Sequence, residues 1–327
     1  MEKKMVVCLG ELLIDFVPQS NGLPLSQVDT FHRAAGGAPA NVAAAVAKLG
    51  GRSRFIGKVG RDPFGDYLHT ALGEAGVEPA LVATDEARTG LAFVSLREDG
   101  ERDFVFFRNP AADMLLRKDE VEDAWLQDAA IFHFGSVSLI AEPCRTATLD
   151  AARRARAFGA LVSYDPNVRL PLWANADFAR RTILDQLPSA DLVKVSEDEI
   201  GFLYGGVSIE EGARLMLGLG PSCVVVTLGA AGCRVFTQTG DVTVPGVRVE
   251  PVDTTGAGDG FVGGLLWGLA DAGVQAASLG EALADPTFAV DALRFANAVG
   301  ALATTKRGAI PALPTRSEVV EKLGGEA

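Results

Sequence analysis

Nine residues, Val252-Asp253-Thr254-Thr255-Gly256-Ala257-Gly258-Asp259-Gly260, join a β-branched apolar run (Val247, Val249, Val252) to an apolar segment over residues 261–269. That order reads as strand, glycine loop, helix. Glycines let successive backbone N–H groups converge on one point, and a helix start adds positive partial charge. Such a nest attracts an anion. Asp259 stands inside it. A carboxylate would repel a phosphate that was merely stored there. It makes chemical sense if it takes the proton from a hydroxyl that attacks the bound phosphate. The plain alternative is a tight turn with Asp259 as an early-helix acid stabilised by the dipole, and one glycine loop does not decide between them. The helix that follows holds Gly260, Gly263, Gly264 and Gly268 in or near its first turns. Each helix-interior glycine costs up to ~1 kcal/mol against alanine, so either a ligand or another backbone must approach closely.

Other polar groups carry less. Ser196-x-x-Glu199 before a helical stretch is a capping box, which needs no ligand. His32, His69 and His133 lack metal-like spacing and suit structural or surface roles. Cys8, Cys144, Cys223 and Cys233 are scattered as well; Cys8 and Cys223 sit in apolar runs as small hydrophobes. Trp173 reads as packing.

The elements that must position the loop alternate in type. Residues 5–9 form an apolar strand ended by Gly10, with Asp15 beyond it. Residues 16–33 are mixed, irregular or short-stranded. Gly36-Gly37 leads through Pro39 into an alanine-rich helix over 40–49, stopped by Gly50-Gly51. A short strand over 55–59 precedes a helix capped by Asp62, begun by Pro63 and ended by Gly76. Two β-rich runs, 91–96 and 104–107, flank Asp99-Gly100, a hairpin signal. A hairpin inside a strand–helix chain points to a small lid. Strands over 131–134, 161–164, 192–195 and 223–228 then alternate with helices over 145–158 and from Ser196; a turn over 229–232 leads into 233–236. Helices follow near 261–272 and 288–303. This rhythm implies a largely parallel sheet covered on both faces, with ligands beyond the strand carboxyl ends.

The chain has 327 residues, 48% hydrophobic and 22% charged, ample for a large core, and doubly wound folds reach this size as one domain. Lys and Arg number 30 against 42 Asp and Glu, a net charge of −12. That balance argues against nucleic acid or an anionic membrane as partner. Nucleotides stay open, because local arginines and Mg²⁺ can reverse the field. No stretch nears the ~20 apolar residues of a membrane span, and Glu11 and Asp15 interrupt any leader-like run. The expectation is a reduced, cytoplasmic protein.

Several segments together resemble the ribokinase-like (pfkB) carbohydrate kinases: Gly36-Gly37-Ala38-Pro39-Ala40-Asn41, Gly57-Lys58-Val59-Gly60-Arg61-Asp62 with Gly65, and Asp253-Thr254-Thr255-Gly256-Ala257-Gly258-Asp259. The likeness runs from Gly10 to about Pro314. Within that family the fructokinases are most alike, through residues 107–114, 164–173, 194–200 and 308–314. The resemblance implies a ribokinase-like three-layer α/β/α sandwich over 1–327 as a single domain. A largely parallel central sheet would carry a β-sheet lid from segments near 13–35 and 88–112. The implied chemistry is transfer of the γ-phosphoryl group of MgATP to the 6-hydroxyl of D-fructose.

The resemblance also implies roles. Asp259 would be the general base, with Gly256, Ala257 and Gly258 as the anion hole. Asp15, Gly36, Gly37 and Asn41 would hold the sugar, Phe106 and Arg108 would lie over it from the lid, and Arg169 would sit on the phosphate side. Ser196, Thr227, Gly229, Gly232 and Asn297 would face the nucleotide. Ser196 departs from the asparagine common in the wider family, but fits the fructokinase form. Glu199 would reach Mg²⁺ through water, cap its helix, or both. Asp253 and carbonyls near Thr255, Ala303 and Gly308 resemble a K⁺ site. The lid's strand edges would pair across a homodimer.

Rival readings are a 2-keto-3-deoxygluconate kinase of the same family and a non-catalytic sugar or nucleotide sensor that kept the fold. Arg108 suits either a sugar face or a carboxylate. A nicotinamide dehydrogenase fits poorly, since Phe261 occupies the last glycine position of G-x-G-x-x-G.

Overall fold

The computed structural model describes residues 4–19, 22–96 and 102–324. The Asp99-Gly100 turn lies outside the described residues.

In chain order the strands are β1 (Met5–Leu9), β2 (Leu13–Pro18), β3 (Phe31–Gly36), β4 (Arg52–Gly60), β5 (Glu78–Thr84), β6 (Leu91–Leu96), β7 (Arg102–Phe107), β8 (Ala129–Gly135), β9 (Leu161–Asp165), β10 (Leu192–Ser196), β11 (Cys223–Thr227), β12 (Gly232–Thr237) and β13 (Asp241–Pro245). The helices are α1 (Ala38–Lys48), α2 (Pro63–Glu74), α3 (Cys144–Ala157), α4 (Ala176–Gln186), α5 (Glu197–Tyr204), α6 (Ile209–Leu217), α7 (Ala257–Asp271), α8 (Leu279–Ala284), α9 (Pro286–Ala303) and α10 (Arg316–Lys322).

A nine-stranded sheet has the order β13-β12-β11-β10-β9-β8-β1-β4-β5. The strands from β11 to β5 run parallel, and β12 and β13 add an antiparallel edge. Side chains of β1 alternate strictly: Val6 and Cys8 enter one core, and Met5, Val7 and Leu9 the other. That is the two-residue period of a strand buried on both faces. Helices α1, α2, α7, α8 and α9 pack on the first face, and α3, α4, α5 and α6 on the second. A separate four-stranded sheet, β3-β2-β6-β7, comes from the segments expected to form a lid.

The helix signals held at their chemical origins. Asp62 caps α2 by accepting from Phe64 N and Gly65 N, with Pro63 at the first position. The region over 16–33 is more regular than expected, because β2 and β3 pair along six residues. The edge strand β5 carried no clear sequence signal; it contains Pro79, which a sheet tolerates only at an edge.

The strand expected at Val247, Val249 and Val252 is absent. Backbone N–H groups of Val252 and Asp253 donate to Thr304 O at the end of α9 rather than to a sheet. Val252 is 61% exposed, so its β-branched side chain gains nothing from the core. The loop therefore hangs from α9.

The helix glycines answer to other backbones. A Cβ on Gly263 would lie 2.3 Å from Ala45 Cβ in α1, and one on Gly264 would lie 2.9 Å from Val299 Cγ2 in α9. Helix α7 is gripped from two sides, which fixes its N-terminus beyond the carboxyl ends of β1, β9 and β10.

Candidate active site

Asp259 occupies the third position of α7 and is buried. Its Oδ2 accepts from Asn41 Nδ2 at 2.8 Å and its Oδ1 from Asn167 Nδ2 at 3.1 Å. Asn41 sits in the first turns of α1, and Asn167 follows β9, so three elements meet on one carboxylate. Burial pushes the Asp259 pKa above the ordinary aspartate value against the pull of the Asn41 hydrogen bond, and Asp165 adds to the rise. A raised, oriented carboxylate suits a proton acceptor.

Gly256 caps α7 at φ 75°, in the left-handed region that glycine enters without strain. Of the three amides expected in the anion hole, that of Ala257 donates to Thr254 O at 3.3 Å. Among the described residues those of Gly256 and Gly258 have no protein acceptor. Two open donors at a helix start remain an anion site.

These groups border a cavity of about 330 Å³, a size suited to a small ligand. Asp15, Gly37, Asn41, Phe106, Arg169, Thr255, Gly256, Gly258 and Asp259 all line it. Gly36 stands behind Asp15, since a Cβ there would meet Asp15 Oδ2 at 2.1 Å. Asp15 belongs to β2 and Phe106 to β7, so the small sheet forms one wall.

Other expected residues stand elsewhere. Arg108 is 7% exposed and is not in the cavity lining; its guanidinium is bound by Asp113. Asn297 lies in α9. It is buried and donates to Val244 O at 3.4 Å and Pro245 O at 3.1 Å, which holds β13 against α9. Ser196 caps α5 by accepting from Glu199 N, and Glu199 Oε2 accepts from Ser196 N at 2.8 Å. Glu199 Oε1 accepts from Val168 N at 2.7 Å, so the capping residue also secures the segment carrying Asn167 and Arg169. Thr227 ends β11, with Gly229 and Gly232 in the turn beyond it. Asp253 ties the loop to the corner after α9: its Oδ1 accepts from Thr255 N at 2.9 Å and its Oδ2 from Gly308 N at 3.0 Å. Ala303 is buried at the end of α9.

Sequence reasoning assigned no role to Glu11, Asn167 or Lys194, all of which line the cavity. Lys194 Nζ donates to Asp165 Oδ2 at 3.1 Å and lies 3.4 Å from where a Cβ on Gly258 would be. Burial works against its charge, but Asp165 and Glu199 hold its pKa above the ordinary lysine value. A signal existed: a lysine inside the buried run Leu192-Val193-Lys194-Val195 needs an acidic partner. Asn167, at φ 42°, is the one non-glycine with positive φ among the described residues, a feature its sequence does not announce. His133 is neutral, its pKa pushed down to about 3 by burial, and its Nδ1 lies 3.1 Å from Ser163 Oγ.

A model of the pfkB carbohydrate kinase family matches residues 3–316. The chain is 48% identical to a probable fructokinase-4 of Arabidopsis thaliana over 99% of this chain and 98% of that one. It superposes on a Xylella fastidiosa fructokinase with bound ATP at TM-score 0.91, with 42% identity and 99% of each chain covered. A double mutant of the Vibrio cholerae O395 fructokinase in fructose, ADP and potassium ion bound form matches at TM-score 0.88, with 37% identity over 98% of this chain and 99% of that one.

Proposed function

The chain belongs to the pfkB family of carbohydrate kinases, and from that premise we propose how its cavity moves the γ-phosphoryl group of ATP to the 6-hydroxyl of D-fructose. It is an ATP-dependent phosphotransferase acting on a sugar hydroxyl. One observation carries the mechanism: Asp259 is buried in the cavity wall, turned by two asparagine amides, beside the open N–H groups of Gly256 and Gly258.

A sugar hydroxyl is too weakly acidic to ionise by itself, so its proton must leave as attack proceeds. Asp259 receives it. The open amides of Gly256 and Gly258, with the α7 dipole, stabilise the charge spreading over the migrating phosphoryl oxygens. Lys194 adds a buried positive charge beside Gly258. Asp15, Asn41 and Phe106 hold the sugar, and the small sheet acts as a lid over it. Thr227, Gly229 and Gly232 face the nucleotide from the end of β11. We assign the whole span 1–327 to one catalytic domain.

Mg²⁺ fits as an ion carried by the triphosphate. Phosphates and water supply most ligands of such an ion. Glu199 would reach it through water. It would supply neutralisation of the phosphate oxygens. K⁺ fits the loop that Asp253 ties to Gly308, where carbonyls near Thr255, Ala303 and Gly308 would bind it.

No helix among the described residues is long and apolar enough to cross a membrane. The four cysteines are free and buried, which suits the reducing cytoplasm. Val105 and Phe107 on edge strand β7 are 43% and 60% exposed. We assign this edge to a homodimer contact through the lid; a monomeric mass by light scattering at assay concentration would reject it.

The functional test is a coupled ADP-release assay over fructose, 2-keto-3-deoxygluconate, ribose and nucleosides. Turnover of fructose is expected. Turnover of the keto acid without fructose overturns the substrate, and tight sugar binding without any turnover would make the protein a sensor.

A further inference from the structure

We propose that Lys48 is a positioning residue for phosphoryl transfer: its ammonium holds residues 308–313 against the start of α7 and so fixes the Gly256 end of the anion hole. This inference rests on the kinase reading and deepens it.

Lys48 is the last residue of α1, half-buried and outside the cavity lining. Its Nζ donates to Ile310 O at 2.8 Å, Leu313 O at 3.1 Å and Pro311 O at 3.4 Å. Three carbonyls thus take up the full donor count of an ammonium. Among the described residues no carboxylate pairs with it. A lysine that ends a helix ordinarily offers its charge to its own last carbonyls. Here those of Ala45, Val46 and Ala47 accept from Leu49 N, Gly51 N and Gly50 N, and the ammonium is spent on another segment. Burial pulls its pKa below the ordinary lysine value, and Lys306 adds to the fall. The carbonyls therefore stand in for the water that burial removes.

That segment backs the anion hole. Gly308 N donates to Asp253 Oδ2 at 3.0 Å. A Cβ on Gly256 would lie 3.2 Å from Ala309 Cα, and one on Gly260 would lie 3.4 Å from Leu313 Cδ2. Residues 308–313 are held at one end by Asp253 and at the other by Lys48, with the first turn of α7 pressed between. The register of α1 completes the link. Asn41, Ala45 and Lys48 stand at i, i+4 and i+7, on one face of the helix. Asn41 orients Asp259, Ala45 meets Gly263, and Lys48 grips 310–313. One face of α1 thus sets both the base and the amides that must act with it. A small displacement between such groups costs rate out of proportion to its size.

The test uses the full chain in four forms: wild type, Lys48→Met, Lys48→Arg and Lys306→Met. Methionine keeps the stem and removes the charge, and arginine keeps charge and donors. Lys306, exposed and paired with Glu318, is the control cation from the same region. Measured on each are kcat with fructose, calorimetric fructose Kd, the pH profile of kcat/KM, and amide hydrogen exchange over 253–261 and 305–314. In Lys48→Met kcat is expected to fall about 10- to 100-fold, while fructose Kd and the acid limb stay at their wild-type values. Exchange in both segments is expected to quicken by about 10-fold or more. Lys48→Arg should fall between Lys48→Met and wild type, and Lys306→Met should match wild type. Unchanged kcat or unchanged exchange in Lys48→Met overturns the inference. So do equal losses of kcat and fructose affinity, an arginine variant no better than the methionine one, or the same losses in Lys306→Met. Failure of the kinase reading would show separately, as a wild-type protein that turns over no sugar; exchange over 253–261 then decides whether Lys48 holds the loop.

Discussion

Asn41 and Asp259, 218 positions apart in the chain, are joined Nδ2 to Oδ2 at 2.8 Å. The contact brings the N-terminal turns of α1 and α7 to one point. Behind it the same two helices touch where Gly263 faces Ala45. Packing of the helices and aim of the base are thus one arrangement.

Replacing Asp259 with Asn should leave both substrates bound while turnover falls by ~10²–10⁴. Isothermal binding of fructose and ATP, with steady-state rates, separates the two effects. Turnover near that of wild type removes Asp259 from the base role.

The pH profile should follow from the raised Asp259 pKa. A base works only when ionised, so kcat/KM falls as pH drops through the folded pKa. Burial places that value above the ordinary aspartate value, and the acid limb should therefore lie above the usual ~3.9. A limb at or below the usual value in the free enzyme contradicts the assignment.

Gly263→Ala should destabilise the fold by about 1–3 kcal/mol through overpacking, because the new methyl would lie 2.3 Å from Ala45 Cβ. Gly268→Ala, where a Cβ meets nothing within 4 Å, should be neutral or stabilising by up to ~1 kcal/mol. Denaturant midpoints of the two variants check this. Equal effects would mean that helix propensity alone, not the α1 contact, sets the cost.

These residues also show where sequence reading reached and where it stopped. Strands buried on both faces and helices bounded by Asp62, Pro63 or Gly76 declare themselves through period and end chemistry. Asp259 and its glycines could be singled out because an acid inside a glycine-rich helix start shows in one short segment, although the loop alone left its role open. The helix glycines left ligand and backbone as equal readings, since a single sequence does not name what touches a missing side chain. Val247 to Val252 looked like a strand because β-branching is local, whereas the competing bonds to Thr304 are not. Arg108 and Asn297 have protein partners that one sequence does not name, Asp113 and the carbonyls of Val244 and Pro245. Glu11 needed the fold before its burial could be seen, whereas Lys194 carried a signal in its apolar run.

Monovalent-cation dependence is the next expectation. The Asp253 carboxylate links the loop before α7 to Gly308, so an ion bound by neighbouring carbonyls would stiffen the anion hole. Replacing K⁺ by a large organic cation should lower kcat at fixed ionic strength. An unchanged rate argues against the site.

Lys194 and Asp165 provide the sharpest separation of structure from chemistry. Both are buried, 8% and 4% exposed at the side chain, so removing one partner leaves a charge without compensation. Lys194→Met alone should cost about 3–5 kcal/mol. Adding Asp165→Asn removes the stranded charge, and the asparagine oxygen can still accept from Asn167 N, as Asp165 Oδ1 does at 3.0 Å. The double variant should regain most of the stability. It should not regain activity, because the positive charge beside Gly258 is gone: KM for ATP should rise and kcat fall by roughly 10-fold or more, the scale of one lost charge-assisted hydrogen bond. Thermal midpoints and ATP kinetics on both variants give the answer. A double variant that recovers turnover along with stability would make Lys194 a partner for Asp165 and nothing more.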